Sequence, residues 1–272
     1  MLTRCEGIVL RTYALGDTSR IAVVYTRELG LVKLVAKGAR KTPSRFGVAL
    51  EPLTHGRYVL YHKVDRELQL LSQADTLAPH GAQLTELSRL SHAQAAAELV
   101  DRLVWGGEPH QELFELLCEA LDLAERVAPA AVALVTVGME LRIAALLGYR
   151  PRLDACVECG GLMSARRLFS AARGGMLCDR CAAMEPGAVG LSADALGSMA
   201  LLLDRPLAEA VEMVDARRAG ELQRVAEDYL RAHFQRFAGL RSLEVLRSLP
   251  GGGNGEGGRS GRGPGPTNPG AS

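Results

Sequence analysis

The chain has 272 residues, 47 % of them hydrophobic, and its 32 basic side chains nearly balance 31 acidic ones. That length holds two compact domains and a small module. A secretory signal is not expected, because no basic segment followed by an apolar one opens the chain.

The net charge of +1 hides a segregation. Residues 1–80 carry twelve Lys/Arg against seven Asp/Glu, whereas residues 81–145 carry four against ten. The first section suits a polyanion and the middle one does not.

The first eighty residues read as all-β. Runs with alternating or β-branched content at Cys5–Tyr13, Arg20–Thr26, Gly30–Ala36, Gly56–Val64 and Glu67–Ala74 predict five strands. Turn-forming segments separate them, among them Leu15-Gly16-Asp17, Lys41-Thr42-Pro43-Ser44 and Val64-Asp65-Arg66. Five short strands fit a small closed barrel of the oligonucleotide-binding (OB) type; an SH3-like barrel fits the count nearly as well.

From Leu84 the period turns helical, and Leu84, Leu87, Leu99 and Leu103 share one face. Pro109 opens a second helix with Leu113, Phe114, Leu117, Leu121 and Ala124 inward. Pro129 opens a third that stops at Gly148. The apolar stretch from Ala128 to Leu147 contains Glu140 and Arg142, so it reads as a buried helix rather than a membrane span. Ser192 and Asp204 are expected to cap two further helices. A long final helix carries Leu222, Val225, Tyr229, His233 and Phe237. Residues 251–272, almost all Gly, Pro, Ser, Asn and Arg, are expected to be disordered. The fold class is therefore α+β multidomain: an OB-type barrel over 1–80, then a helical domain over 81–250.

The helical domain carries an insertion with a pair of cysteines at each end, Cys156-Val-Glu-Cys159 and Cys178-Asp-Arg-Cys181, with eighteen residues between them. Each pair can set two thiolates on one metal from a tight turn, and a hairpin between them closes a tetrahedron. Four sulfurs fill the coordination sphere of zinc and leave no position for an activated water, so a structural zinc module is expected at about 152–185. Cys5 and Cys118 lie in apolar runs as buried thiols, and unpaired cysteines beside such a site point to the cytoplasm.

The second chemical feature is basic. Gly30 to Leu50 holds no acid, while Lys33, Lys37, Arg40, Lys41 and Arg45 fall within thirteen residues. Cations on a strand and its following loop suit phosphate tracking, with Phe46, Tyr58 and Tyr61 as nearby stacking faces. The run alone fits a solvated turn equally well. A second set of cations, Arg217, Arg218, Arg224, Arg231 and Arg236, reads first as solvated helix surface. No HExxH, GxSxG or complete phosphate-loop motif occurs, so no enzymatic activity is expected.

Taken in order, these residues resemble a family. Gly7–Asp17, Thr26–Gly30, Ala36–Lys41, Ser44–Gly47, Glu98–Leu103, Leu146–Pro151, the cysteines Cys156 to Cys181 and Leu240–Leu243 are similar to the RecO family of bacterial DNA repair proteins. The resemblance runs from residue 1 to about 249; Ala95–Ala97 stands where the family often has an aromatic, and some members lack the four cysteines. It implies a recombination mediator of the RecF pathway that binds single- and double-stranded DNA and anneals complementary strands. It also implies partners: RecR, the C-terminal tail of single-strand-binding protein, and functional links to RecF and RecA. A cytoplasmic, nucleoid-associated place follows from the same resemblance, with no membrane contact. Two other classes stay open, a zinc-ribbon transcription or translation factor and a metal-dependent hydrolase, the latter poorly served by four thiolates.

Overall fold

The computed structural model of the chain describes residues 1–41, 46–106, 108–163 and 165–249. Arg45 and the glycine-rich tail lie outside the described residues.

Strands β1 (Leu2–Leu15), β2 (Ser19–Thr26), β3 (Gly30–Ala36), β4 (Thr54–Tyr61) and β5 (Leu68–Pro79) form a closed barrel in the order β1-β2-β3-β5-β4. β1 pairs with both β2 and β4 and changes register between Val9 and Arg11, a bulge that sharpens its twist. Within the barrel, β3 and β5 run parallel, over Lys33–Val35 and Leu68–Leu70, and the other neighbours pair antiparallel. This five-stranded closure is the OB-type barrel expected from the strand count.

Strict alternation along β3 puts Val32, Leu34 and Ala36 inside with Val9, Val24 and Leu60. Along β2 the apolar run Ile21–Tyr25 does not alternate, and it is buried on both faces. Ile8, Leu10, Val23, Tyr25 and Leu53 point out of the barrel and belong to the core of the helical domain. The two halves therefore share one continuous apolar interface.

The barrel leads through the single turn α1 (His80–Gln83) into α2 (Leu87–Leu103), α3 (Gln111–Arg126) and α4 (Val132–Leu146). A short sheet of β6 (Leu168–Ser170), β7 (Gly175–Leu177) and β8 (Val189–Gly190) follows, with the turn α5 (Asp179–Ala182) after β7. Then come α6 (Ala193–Asp204), α7 (Leu207–Met213), α8 (Ala219–His233) and α9 (Arg241–Ser248).

Helix α4 is the hub: it packs on α2, α3, α6, α7 and α8. With its leading turn, Pro129–Leu146 is apolar and long enough to cross a membrane, but 61 % of it is buried against these neighbours. It is a core helix. Gly148, at φ +90°, ends it, and the Tyr149 N–H reaches back to the Ala144 carbonyl at 2.8 Å in a C-terminal Schellman closure.

Three expectations need correction. Leu99 and Leu103 face inward as expected and Leu84 is buried ahead of the helix. Leu87, however, is half exposed, because α2 buries Leu99 and Leu103 together with His92, Ala93, Ala95, Ala96, Ala97 and Val100, a face rotated away from Leu87. α2 is clasped between barrel and α4, and three successive alanines keep it thin enough to fit. Ser192 does cap α6 through its Oγ, which accepts from the Ala195 N–H at 3.0 Å. Asp204, however, ends α6 rather than starting α7, whose first turn follows Pro206. The single long final helix is in fact two, since α8 stops at His233 and the chain turns through Gly239 (φ +107°) before α9.

Candidate metal centre and nucleic-acid interface

The four cysteines come together as their spacing predicts. In the first turn the Gly160 N–H donates to the Cys156 carbonyl at 2.9 Å and the Cys156 N–H to the Gly161 carbonyl at 3.0 Å. Gly160 adopts φ +69°, which a side chain disfavours. Cys178 follows β7 and stands at the N-cap position of α5, so Cys181 lies within the single turn that follows it.

All four sulfurs lie within 4.8 Å of one another, and Cys159 Sγ is 3.8 Å from Cys178 Sγ. A tetrahedral tetrathiolate site with metal–sulfur bonds of about 2.3 Å has sulfur–sulfur edges of about 3.8 Å. The donor set fits. Burial opposes ionisation of Cys156, but the backbone groups of Cys159, Cys178 and Glu158 aim at its sulfur and bring the thiol down to about 6. Arg180 stands against the Cys159 and Cys181 sulfurs and offsets the negative charge that four thiolates leave around a dication.

The module is docked into the body. Phe169, Met176 and Leu177 on β6 and β7 are buried, Phe169 beside Tyr229 with ring centroids 6.0 Å apart. His233 Nε2 donates to the Ala171 carbonyl at 2.9 Å, and Arg173 pairs with Glu158 at 3.3 Å and Glu185 at 2.9 Å. The hairpin turn is thereby tied to both cysteine turns.

One close approach is testable. A Cβ on Gly175 would sit 2.4 Å from the Arg152 carbonyl oxygen, a backbone atom. Gly175→Ala is therefore expected to lower the melting temperature by the equivalent of about 1–3 kcal/mol, the range for overpacked sites. An unchanged melt would show that the Arg152 bridge can move aside.

The basic segment divides. Lys33 points outward from β3 and pairs with Glu67 across the parallel edge. Lys37, Arg40 and Lys41 are exposed in the loop after β3, where Arg40 Nη1 donates to the Gly16 carbonyl at 2.8 Å. Lys33 stands four residues back, about 13 Å along the strand. Of the aromatics, Phe46 and Tyr58 are core residues, Tyr58 donating to the Ala49 carbonyl at 3.0 Å, and neither offers a stacking face; Tyr61 is half exposed. Interior volume claimed them, since a five-stranded barrel needs large side chains to fill it.

The second arginine set is mostly neutralised: Arg217 meets Asp215, Arg218 meets Asp194 and Glu221, and Arg231 meets Glu227 and Asp228. Arg236 instead stacks on Trp105, an aromatic to which no sequence pattern assigns a role. Only its isolation as the sole tryptophan marks it along the chain.

The comparisons with known proteins agree with this architecture. The family described as Recombination protein O N terminal matches residues 1–80, and Recombination protein O C terminal matches residues 84–244. The DNA repair protein RecO of Rubrobacter xylanophilus is 36 % identical over 241 residues, covering 88 % of this chain and 95 % of that protein. Its namesake from Streptomyces griseus is 36 % identical over 251 residues, covering 90 % and 98 % respectively. The one from Pelotomaculum thermopropionicum is 33 % identical over 236 residues, covering 86 % and 90 %. Barrel, helical body and both family matches together place the chain in the RecO family of DNA repair and recombination proteins.

Proposed function

We propose that this protein is a DNA-binding recombination mediator of the RecF pathway. In this reading it binds single and double strands, anneals complementary ones and helps load RecA on DNA coated by single-strand-binding protein, with RecR as a direct partner. It acts by holding strands rather than by turnover, in the cytoplasm at the nucleoid. The barrel, residues 1–80, is the DNA-binding domain; residues 81–250 carry the zinc module and the protein contacts.

One observation carries the reading: a closed OB-type barrel presents Lys37, Arg40 and Lys41, exposed and without an ion-pair partner among the described residues, on the loop that ends β3. Cations so placed replace the counterions of a phosphate backbone. Lys33 flanks them on β3 and extends the same track, and Arg45, the fifth proposed DNA-binding cation, follows them in sequence.

The metal is zinc, one per chain, on Cys156, Cys159, Cys178 and Cys181. Four thiolates are the donor set of closed structural zinc sites. When bound, zinc cross-links two turns that have few apolar contacts of their own.

Salt dependence tests the DNA surface. Affinity for a single strand should fall steeply with salt, at a log–log slope of roughly −0.7 per phosphate contact. Replacing Lys37, Arg40 and Lys41 together by alanine should flatten that slope by about two units. Equal slopes for the two proteins would put the DNA elsewhere. The full chain should also speed pairing of complementary oligonucleotides without nucleotide or divalent metal, and an absolute need for ATP would sink the mechanism.

A further inference from the structure

Between the outer face of β1–β3 and the α2–α9 side of the helical domain lies a cleft of about 990 Å³. Its lining holds five cations, Arg11, Lys33, Arg102, Arg236 and Arg241, against two carboxylates, Glu98 and Asp101. Both carboxylates are already engaged. Asp101 meets Arg11 at 2.7 Å; Glu98 pairs with Arg102 and takes the N–H groups of Arg241 and Ser242 at 3.1 Å each. Arg236 and Arg241 have no carboxylate partner among the described residues, and the partner of Lys33, Glu67, is a mostly exposed side chain outside the cleft. The cleft is therefore positive.

It also holds an aromatic in the wrong place for a core. Trp105, after the end of α2, is 53 % exposed, and the Arg236 guanidinium carbon lies 3.2 Å from its ring centroid. Exposing a large indole forfeits apolar burial. The arginine covers one face of it, as a cation over an aromatic ring does, yet half of the side chain is left accessible in a cationic groove. Such a surface suits a ligand that is both polyanionic and built of planar rings. A single-stranded nucleic acid is both, and its unpaired bases are free to stack, whereas those of a duplex are not. β3 links this cleft to the basic loop: Lys33 on the strand lines the cleft, and Lys37 begins the loop directly after the strand ends at Ala36.

We propose that this cleft seats an unpaired base of a single strand on the Trp105–Arg236 pair, with Arg241 and Lys33 holding the adjoining phosphates. This rests on the reading of the protein as DNA-binding and adds a base-contacting subsite to it. Stacking and charge then separate by residue. Trp105→Ala should weaken single-strand binding about tenfold while leaving the salt slope unchanged, because stacking on an aromatic is worth a fold-change of that order and displaces no counterion. Arg236→Ala should weaken binding and also flatten the slope by somewhat under one unit.

The sole tryptophan is its own reporter. The full-length protein would be titrated with a short oligothymidylate while intrinsic fluorescence and the anisotropy of a labelled strand are read in parallel. The expected result is a saturable change in emission that follows the anisotropy curve, with Trp105→Phe keeping most of the affinity that Trp105→Ala loses. Anisotropy that rises without any emission change, with Trp105→Ala binding as wild type, would overturn the cleft and leave the DNA-binding reading intact. No rise in anisotropy would overturn both. An emission change with an acidic peptide but none with the strand would assign the cleft to a protein ligand and overturn it as a DNA subsite. The emission readout needs no variant, so poor folding of Trp105→Ala does not leave the question open.

Discussion

Cys178→Ser in the full-length chain is expected to abolish stoichiometric zinc binding and to loosen the cysteine turns, while the barrel keeps its own structure. The serine oxygen is a poor substitute for a thiolate, and three remaining sulfurs leave the tetrahedron open. Structural zinc contributes about 10–16 kcal/mol in isolated finger peptides, which bounds the effect from above. Here it falls well below that bound, because Phe169, Met176 and Leu177 stay anchored in the helical core without the metal. The loss should therefore concentrate at residues 156–161 and 178–185, where hydrogen exchange should accelerate toward unprotected rates. Residues 1–80, which contribute no sulfur to the cluster, should exchange as in the wild type. A chelator should reproduce the pattern in the unmutated protein. Retention of one zinc per chain by the variant would remove the four-thiolate assignment.

A second large effect is expected on acidification, and it comes from a buried histidine. His92 sits on the inner face of α2, 8 % exposed, with Nδ1 2.8 Å from Thr136 Oγ1 on α4. Burial, reinforced by the Arg247 cation, brings its pKa down to about 4 from an ordinary 6.5. The unfolded chain therefore binds a proton that the folded one refuses, and stability falls as pH drops from about 6.5 toward about 4.

Between neutral pH and about pH 4.5 that loss amounts to about 2–3 kcal/mol. Glu140 works in the opposite sense. It is fully buried on α4, and desolvation, aided by the nearby Glu227 carboxylate, raises its pKa well above the usual range despite the Gln223 Nε2 bond at 2.7 Å. The folded state keeps that proton after the unfolded chain has lost it, so stability is fullest below the unfolded pKa and declines as pH rises.

Substitution separates the two groups. His92→Gln retains a hydrogen-bonding group near Thr136 but cannot titrate, so denaturant unfolding should show the acid-side loss cut by about 2–3 kcal/mol relative to wild type. Glu140→Gln should remove a decline that begins just above the ordinary carboxyl range and overlaps the same window, so the acid-side loss from His92 should be steeper in that variant than in the wild type. If His92→Gln and wild type lose stability in parallel from neutral pH to about pH 4.5, the acid sensitivity lies in other groups.

Local chemistry wrote much of this molecule into its sequence. The barrel strands are legible because alternation such as Val32-Lys33-Leu34-Val35-Ala36 has a period that only a strand satisfies. The metal centre is legible because its ligands come in two short turns whose geometry is set within four residues each. The family is legible because its fragments recur in order along the chain, and both halves match it.

Tertiary structure decided what depends on which surfaces meet. Phe46 and Tyr58 were indistinguishable by composition from exposed stacking residues until closure of the barrel enclosed them. Leu87 has the right residue type for an inner face, but α2 had to satisfy both the barrel and α4, and that fixed its rotation. The cleft that joins Lys33 on β3, Trp105 after α2 and Arg236 after α8 unites residues up to about two hundred positions apart. No periodicity reports such a meeting, because it is set by the packing of the helical domain on the outer face of β1 and β2, and that packing has no local signature.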